Sequence, residues 1–157
     1  MEGFSVRGLY GGAIEALLPT RLNSLGDLLP IPDTQEVFSD PLNSSNYIIE
    51  LLEMSHLGSD TDAVNTIFSD IIEANQATEN SIQAINPLSN TTFQIIGKMC
   101  VSGKWVNIYL LVQRLSQFQT DLSFYISDPE SLPSGPILEI LSTFSTSLIV
   151  KDSSLFV

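Results

Sequence analysis

The stretch FQIIGKMCVSGKWVNIYLLVQRLSQFQTDLSFYIS, Phe93 to Ser127, carries the decision about fold. It is dense in β-branched and aromatic residues and is broken by an evident turn at Ser102-Gly103. Its composition predicts three strands, Phe93 to Val101, Trp105 to Leu115 and Phe118 to Ser127, joined as an antiparallel meander. Downstream, Ile137, Leu138, Ile140, Leu141 and Phe144 recur at helical spacing, and Pro136 suits a first turn, so a helix is expected over Pro133 to Ser145. A last strand, Leu148 to Val150, follows.

Upstream, Ala74 to Asn90 is polar and reads as a loop, with Ile82 and Ile85 as anchors. Val64, Ile67, Phe68, Ile71 and Ile72 predict a helix over Asp60 to Asn75, its acidic start favoured beside the positive end of the helix dipole. Tyr47 to Glu53 fits two patterns. Helical spacing would set Asn46, Glu50 and Glu53 opposite Ile48, Leu51 and Leu52, whereas Tyr47 and two isoleucines favour a strand paired with Val37 and Phe38; the strand is preferred. Gln35 to Ser39 reads as a short strand, followed by a turn at Asp40 to Asn43. At the amino end, Leu9-Tyr10 and Ala13 to Leu18 flank Gly11-Gly12, which supplies the positive φ of a hairpin turn. The expectation is one α/β domain of the α+β type over residues 1–157, an antiparallel sheet of about six strands flanked by two helices.

Charge is unevenly spread. The 157 residues are 43% hydrophobic and 15% charged, which suits a sizeable core, and the formal net charge is −12. No Lys or Arg lies between Arg21 and Lys98, an interval that holds eleven acids from Asp27 to Glu79. A surface of one sign implies a partner of the other. Phosphate backbones and anionic membranes are therefore disfavoured, which leaves a basic protein or a cation, or an acidity that only keeps a small domain in solution. MEGFSVRG lacks a basic segment leading into an apolar run, so the chain is expected to be soluble and untargeted. A lone cysteine, Cys100, in apolar context reads as a buried thiol in a reducing compartment.

Enzyme chemistry finds little support. His56 has no second histidine to share a metal, no serine motif suggests a triad, and Gly11-Gly12 lacks the further residues of a phosphate loop. Asp60 and Asp62 lack the remaining oxygens of a calcium loop and read as helix-start residues. No cofactor is expected.

Five segments carry a resemblance. Leu9-Tyr10-Gly11-Gly12-Ala13-Ile14, Pro32-Asp33-Thr34-Gln35-Glu36-Val37-Phe38, Ile48-Ile49-Glu50-Leu51-Leu52-Glu53, Arg114 to Leu122 and Asp152-Ser153-Ser154-Leu155-Phe156 resemble, in order, the signature segments of the Ran guanine nucleotide release factors, the Mog-type nuclear-import factors. The chain is shorter than these before Phe93 and after Asp128, and it has Asp128-Pro129 where the family often has Asn-x-Pro. The resemblance implies a PsbP-like fold with an antiparallel sheet between helices, and it favours the strand reading of Tyr47 to Glu53. It further implies a non-enzymatic, monomeric protein of nucleus and cytoplasm that binds the small GTPase Ran, in its GTP-bound, GDP-bound or empty form, through an acidic surface. By motif, Asp33, Glu36, Glu50 and Glu53 are the expected partner-facing residues, with Glu50 and Glu53 at the centre. Asp121 matches an acid of the fourth segment and reads equally well as a strand-end cap, and Arg114 is expected to pair with one of these carboxylates. The alternative is a PsbP-like acidic module for another basic partner, without nucleotide-release activity.

Overall fold

The computed structural model describes residues 3–56 and 58–156. The meander forms as expected: β7 (Thr92–Val101), β8 (Lys104–Leu115) and β9 (Thr120–Asp128) pair antiparallel, with Ser102 and Gly103 both at positive φ in the tight turn. They sit at the middle of a seven-stranded sheet of order β3-β4-β5-β9-β8-β7-β6, in which β3 is Asn23–Ser24, β4 Gln35–Ser39, β5 Asn46–Glu53 and β6 Glu79–Pro87. A three-stranded sheet holds β1 (Phe4–Leu9), β2 (Ile14–Pro19) and β10 (Ile149–Val150), in the order β1-β2-β10. Two helices, α1 (Asp60–Ala74) and α2 (Ser134–Ser147), complete the architecture.

Both faces of the large sheet are covered, which explains why β7 to β9 read as almost continuous apolar runs. On one face the stripe Val64, Ile67, Phe68, Ile71 and Ile72 of α1 packs on Ile95, Ile108, Leu110 and Val112. On the other, Ile49, Leu111, Phe124 and Ile126 meet Leu141 and Phe144 of α2 and Leu9, Ile14 and Leu18 of the small sheet. The Phe124 and Phe144 rings lie tilted at 4.6 Å. Each such fully buried side chain contributes about 1.5–3 kcal/mol.

Two expectations need correction. Ala74 to Asn90 is not a loop throughout, since Glu79–Pro87 forms β6 against β7. This strand is an edge, largely exposed, and its register shifts between Ile82 and Ala84, so apolar-polar alternation breaks in the middle and leaves no period to read. β9 also starts later than Phe118. Ser116–Phe118 is a 3-10 turn closed by Gln119 in the left-handed region, and Phe118 stacks on Phe156 at 4.5 Å, docking the C-terminal segment there.

Buried ion pairs set the elements against each other. Arg114 on β8 donates from Nε to Asp121 Oδ1 (3.0 Å), and its other nitrogens reach Asp60 at the start of α1 and the Ser55 carbonyl (2.6 Å). Hydrogen bonds to Asp121 and Asp60 raise the Arg114 pKa against the opposing effect of burial. The expected pairing of Arg114 thus resolves to Asp121, which is 2% exposed, and through Asp60 the same arginine ties the start of α1 to β8. Ser59 and Asp62 close a capping box at the α1 start.

Candidate protein-interaction face

The β1–β2 turn is where the acidic edge of the sheet is organised. Tyr10, Gly11 and Gly12 all have positive φ, and a tyrosine in the left-handed region is uncommon. Its surroundings fix it there. The Tyr10 N–H donates to Glu36 Oε1 at 2.7 Å, and its hydroxyl donates to the Thr34 carbonyl at 2.9 Å, with the Ile49 carbonyl at 3.4 Å. Burial first, and then the charges of Glu36 and Glu50, push the Tyr10 phenol far above its ordinary pKa, so it remains a neutral donor. The Leu9 to Ile14 segment therefore pins β4 to β5 and orients Glu36.

Asp33 is exposed at the turn Pro32 to Gln35, closed by the Gln35 N–H to the Pro32 carbonyl at 2.9 Å, and its carboxylate has no partner among the described residues. With Glu36, Asp27 and Tyr10 it lines an open concavity of about 530 Å³ along the outer edge of β4. Beside it Leu28 and Leu29 are 76% and 52% exposed. Acidic groups round exposed apolar side chains make a surface fit for a protein partner.

Glu50 and Glu53 do not share a face. Residues three apart on a strand point to opposite sides of a sheet. Glu50, opposite Gln35 in the register, faces α1, and its Oε2 accepts from Gln35 Nε2 at 3.1 Å. Glu53, opposite Thr120, faces the other way at the exposed end of β5. The expected centre at Glu50 and Glu53 is thus split, whereas Asp33 and Glu36 open onto one concavity. Glu50 is half-buried, in a cavity of about 90 Å³ between β5, β9 and α1.

Three contributors escaped the sequence reading. Tyr10 is read there as part of a turn, and Asp27 and Asp70 only as acids of the basic-free interval, although the spacing of Asp70 from Ile67, Ile71 and Ala74 already sets it on one stripe. His56 is exposed in the segment after β5. Among the described residues, no group of three or more His, Cys, Asp or Glu is placed to hold a metal.

Below this face, Asp40 is 4% exposed and receives Arg21 Nε and Nη2 at 2.9 and 2.7 Å, together with the Leu42 N–H at 3.0 Å. Burial opposes its charge, but Arg21 and Leu42 outweigh burial and hold the carboxyl below its ordinary pKa. The pair ties the β2–β3 connection to the β4–β5 turn, and so steadies the acidic edge from behind.

Known proteins resemble this chain in sequence and in fold. A family model described as the Ran-interacting Mog1 protein matches residues 7–129. The Ran guanine nucleotide release factor of Danio rerio is 30% identical over 141 residues, which cover 78% of this chain and 77% of that protein. The human Ran guanine nucleotide release factor is 29% identical with 94% of each covered, and the Saccharomyces cerevisiae nuclear import protein MOG1 is 28% identical, covering 94% of this chain and 83% of its own. The crystal structure of the S. cerevisiae Ran-binding protein Mog1p superposes with a TM-score of 0.89 at 23% identity over the full length of both chains, which bears out the α+β fold. With the family model running from within β1 past the end of β9, the chain belongs to the Ran-interacting Mog1 family.

Proposed function

We propose that this protein binds the small GTPase Ran and promotes release of its guanine nucleotide in support of nuclear protein import, with Asp33, Glu36, Glu50 and Glu53 facing Ran. The observation that carries the reading is the unneutralised acidic edge at β4, in a chain whose relatives are named Ran guanine nucleotide release factors. The chain acts as one domain and as a monomer, in nucleus and cytoplasm, without chemistry or cofactor of its own, and touches neither nucleic acid nor membrane.

A GTPase holds phosphate with Lys, Mg²⁺ and backbone N–H groups, so a carboxylate that reaches the Lys or displaces the metal competes with the phosphate. Binding alone does not release nucleotide. The factor must bind the empty or rearranged GTPase more tightly than the loaded one, because equal affinity for both shifts nothing. Asp33, without a partner among the described residues, is suited to reach outward, and Glu36, oriented by Tyr10, to hold a fixed place.

The test is release of a fluorescent guanine nucleotide from Ran, with binding measured to the GDP, GTP and empty forms. Acceleration by this protein, with affinity that differs among the three forms, is expected. Equal affinity for all three and no acceleration would reduce it to an acidic module for basic partners. Reversal of Asp33 and Glu36 to Lys should return release to the spontaneous rate, and Glu53→Lys should weaken binding less, because it stands apart from the concavity.

A further inference from the structure

We propose that the pocket between the β4–β5 turn and the start of α2 receives one tyrosine side chain of a protein partner. The turn side is polar, with Asp40 and its partner Arg21, Asn43 and Ser45, and the helix side is apolar, with Pro136, Ile137 and Ile140. The pocket shares no lining residue with the acidic concavity, which opens at the other end of β4.

Ser45 marks the pocket as built for a ligand. The residue is 3% exposed and lines the pocket, and its Oγ is, among the described residues, the one buried side-chain polar atom without a hydrogen-bond partner. The turn does not need that hydroxyl for its shape. The Asp40 N–H donates to the Ser45 carbonyl at 3.1 Å, the Leu42 N–H to Asp40 Oδ1 at 3.0 Å, and the Ser45 N–H to Asn43 Oδ1 at 2.8 Å. Interiors pair their buried polar groups, so an orphan in an otherwise satisfied turn points to a group supplied from outside. Asn43, whose oxygen is engaged by Ser45, has its Nδ2 donors left for the same group.

Charge makes the ligand neutral. Asp40 Oδ1 accepts from Arg21 Nε and the Leu42 N–H, and Oδ2 from Arg21 Nη2 and, at 3.4 Å, the Tyr47 hydroxyl, so both oxygens are filled and no open carboxylate is left for an ammonium. The same pairing neutralises Arg21, and a net charge of −12 repels an anion. What the pocket offers is a hydroxyl that can donate and accept, beside an apolar wall. A phenol answers both, since its ring is apolar and its O–H donates and accepts, whereas an indole only donates. An engineered apolar cavity of about 150 Å³ holds benzene, so a pocket of about 190 Å³ admits a six-membered ring. The surroundings point to a protein as the bearer of that phenol. Leu42 in the same turn is 68% exposed, and Pro133 and Pro136 are exposed at the start of α2, which makes an apolar rim round a pocket, the setting in which tyrosine anchors an interface.

The experiment has two arms, neither of which involves Ran. In the first, isoleucine methyl signals of the full chain are followed by NMR during titration with Nα-acetyl-tyrosine amide and with its phenylalanine counterpart. Ile137 and Ile140 should shift, and the tyrosine compound should bind about fivefold more tightly, the increment of one neutral hydrogen bond. Ser45→Ala should erase that preference without lowering the melting temperature of the free protein, because the hydroxyl it removes bonds to no group of the fold. Equal affinity for the two compounds in wild type, a preference that survives Ser45→Ala, or no shift at Ile137 and Ile140 overturns the site. A lower melting temperature in Ser45→Ala overturns it too, since the hydroxyl would then serve the fold. In the second arm, random peptides displayed on phage are bound to the wild type and eluted with p-cresol. The eluted peptides should share a tyrosine that is not enriched on Ser45→Ala. Elution of peptides without a common tyrosine overturns the protein partner.

Discussion

At the scale of single residues, the acidic edge holds carboxylates with opposite duties. Asp40 is structural, and its pairing makes stability depend on pH with a definite sign. Folding lowers its pKa beneath the ordinary 3.8, so the stabilisation is complete above that value and is lost as pH falls through the lower folded value. Breaking a buried pair by removing one partner costs about 3–5 kcal/mol. Asp40→Asn should therefore lower urea stability by about 3 kcal/mol at pH 6, and the gap to wild type should narrow below pH 4. An undiminished gap at pH 2.5 would mean that the carboxylate's charge is not its source. Glu36 combines both duties, because it orients the Tyr10 turn and faces the concavity. Glu36→Gln keeps an oxygen for the Tyr10 N–H and should cost under about 1 kcal/mol of stability while weakening Ran binding at least tenfold. Glu36→Ala, which leaves that N–H unpaired, should cost about 1–3 kcal/mol in addition.

At the scale of elements, closeness of packing between β6, β7 and α1 sets the position of α1. Gly97 lies where a Cβ would stand 2.7 Å from the Ser81 carbonyl oxygen and 3.0 Å from the Phe68 ring. Both neighbours are fixed, one in a strand backbone and the other 2% exposed, so Gly97→Ala should destabilise by about 1–3 kcal/mol in a denaturant titration. Little of this contact was legible in the sequence. Strands β7 to β9 were, because burial on both faces enriches them in β-branched and aromatic residues over their whole length. β5 could be told from a helix only by its Tyr-Ile-Ile start, and β6 not at all, since an exposed edge with a bulge carries no hydrophobic period. The site divides in the same way. Asp33 and Glu36 stand in a recognisable segment, and the opposite facing of Glu50 and Glu53 follows from their odd spacing once β5 is a strand. The Tyr10 to Glu36 bond spans 26 positions, and the approach of Asp70 to Glu50 joins a helix to a strand, so neither leaves a local pattern.

At the scale of the whole molecule, what matters is where the few basic groups go. Arg7 donates to the Thr20 and Leu22 carbonyls and lies over Phe38, Arg21 pairs with Asp40, and Arg114 with Asp121 and Asp60. The three arginines are thus turned to internal acceptors. Lys151 lies 4.0 Å from Glu15, and Lys98, over Trp105 at 4.7 Å, and the exposed Lys104 stand at the β7–β8 turn, respectively four and three strands across the sheet from β4. At about 4.8 Å per strand that is ~14–19 Å, roughly two Debye lengths at physiological salt, so Lys98 and Lys104 do not neutralise the acidic edge. Such a field acts mainly on encounter. The association rate with Ran, followed by stopped flow, should fall at least tenfold between about 20 and 500 mM NaCl while the dissociation rate changes little. Reversing Lys98 and Lys104 to Glu, far from the edge, should alter the association rate less than about twofold at 150 mM, whereas reversing Asp33 and Glu36 should lower it and flatten its salt dependence. An association rate indifferent to salt would mean that the acidic edge does not steer the encounter, and a strong effect of the Lys98 and Lys104 reversal would move the docking face to the opposite end of the sheet.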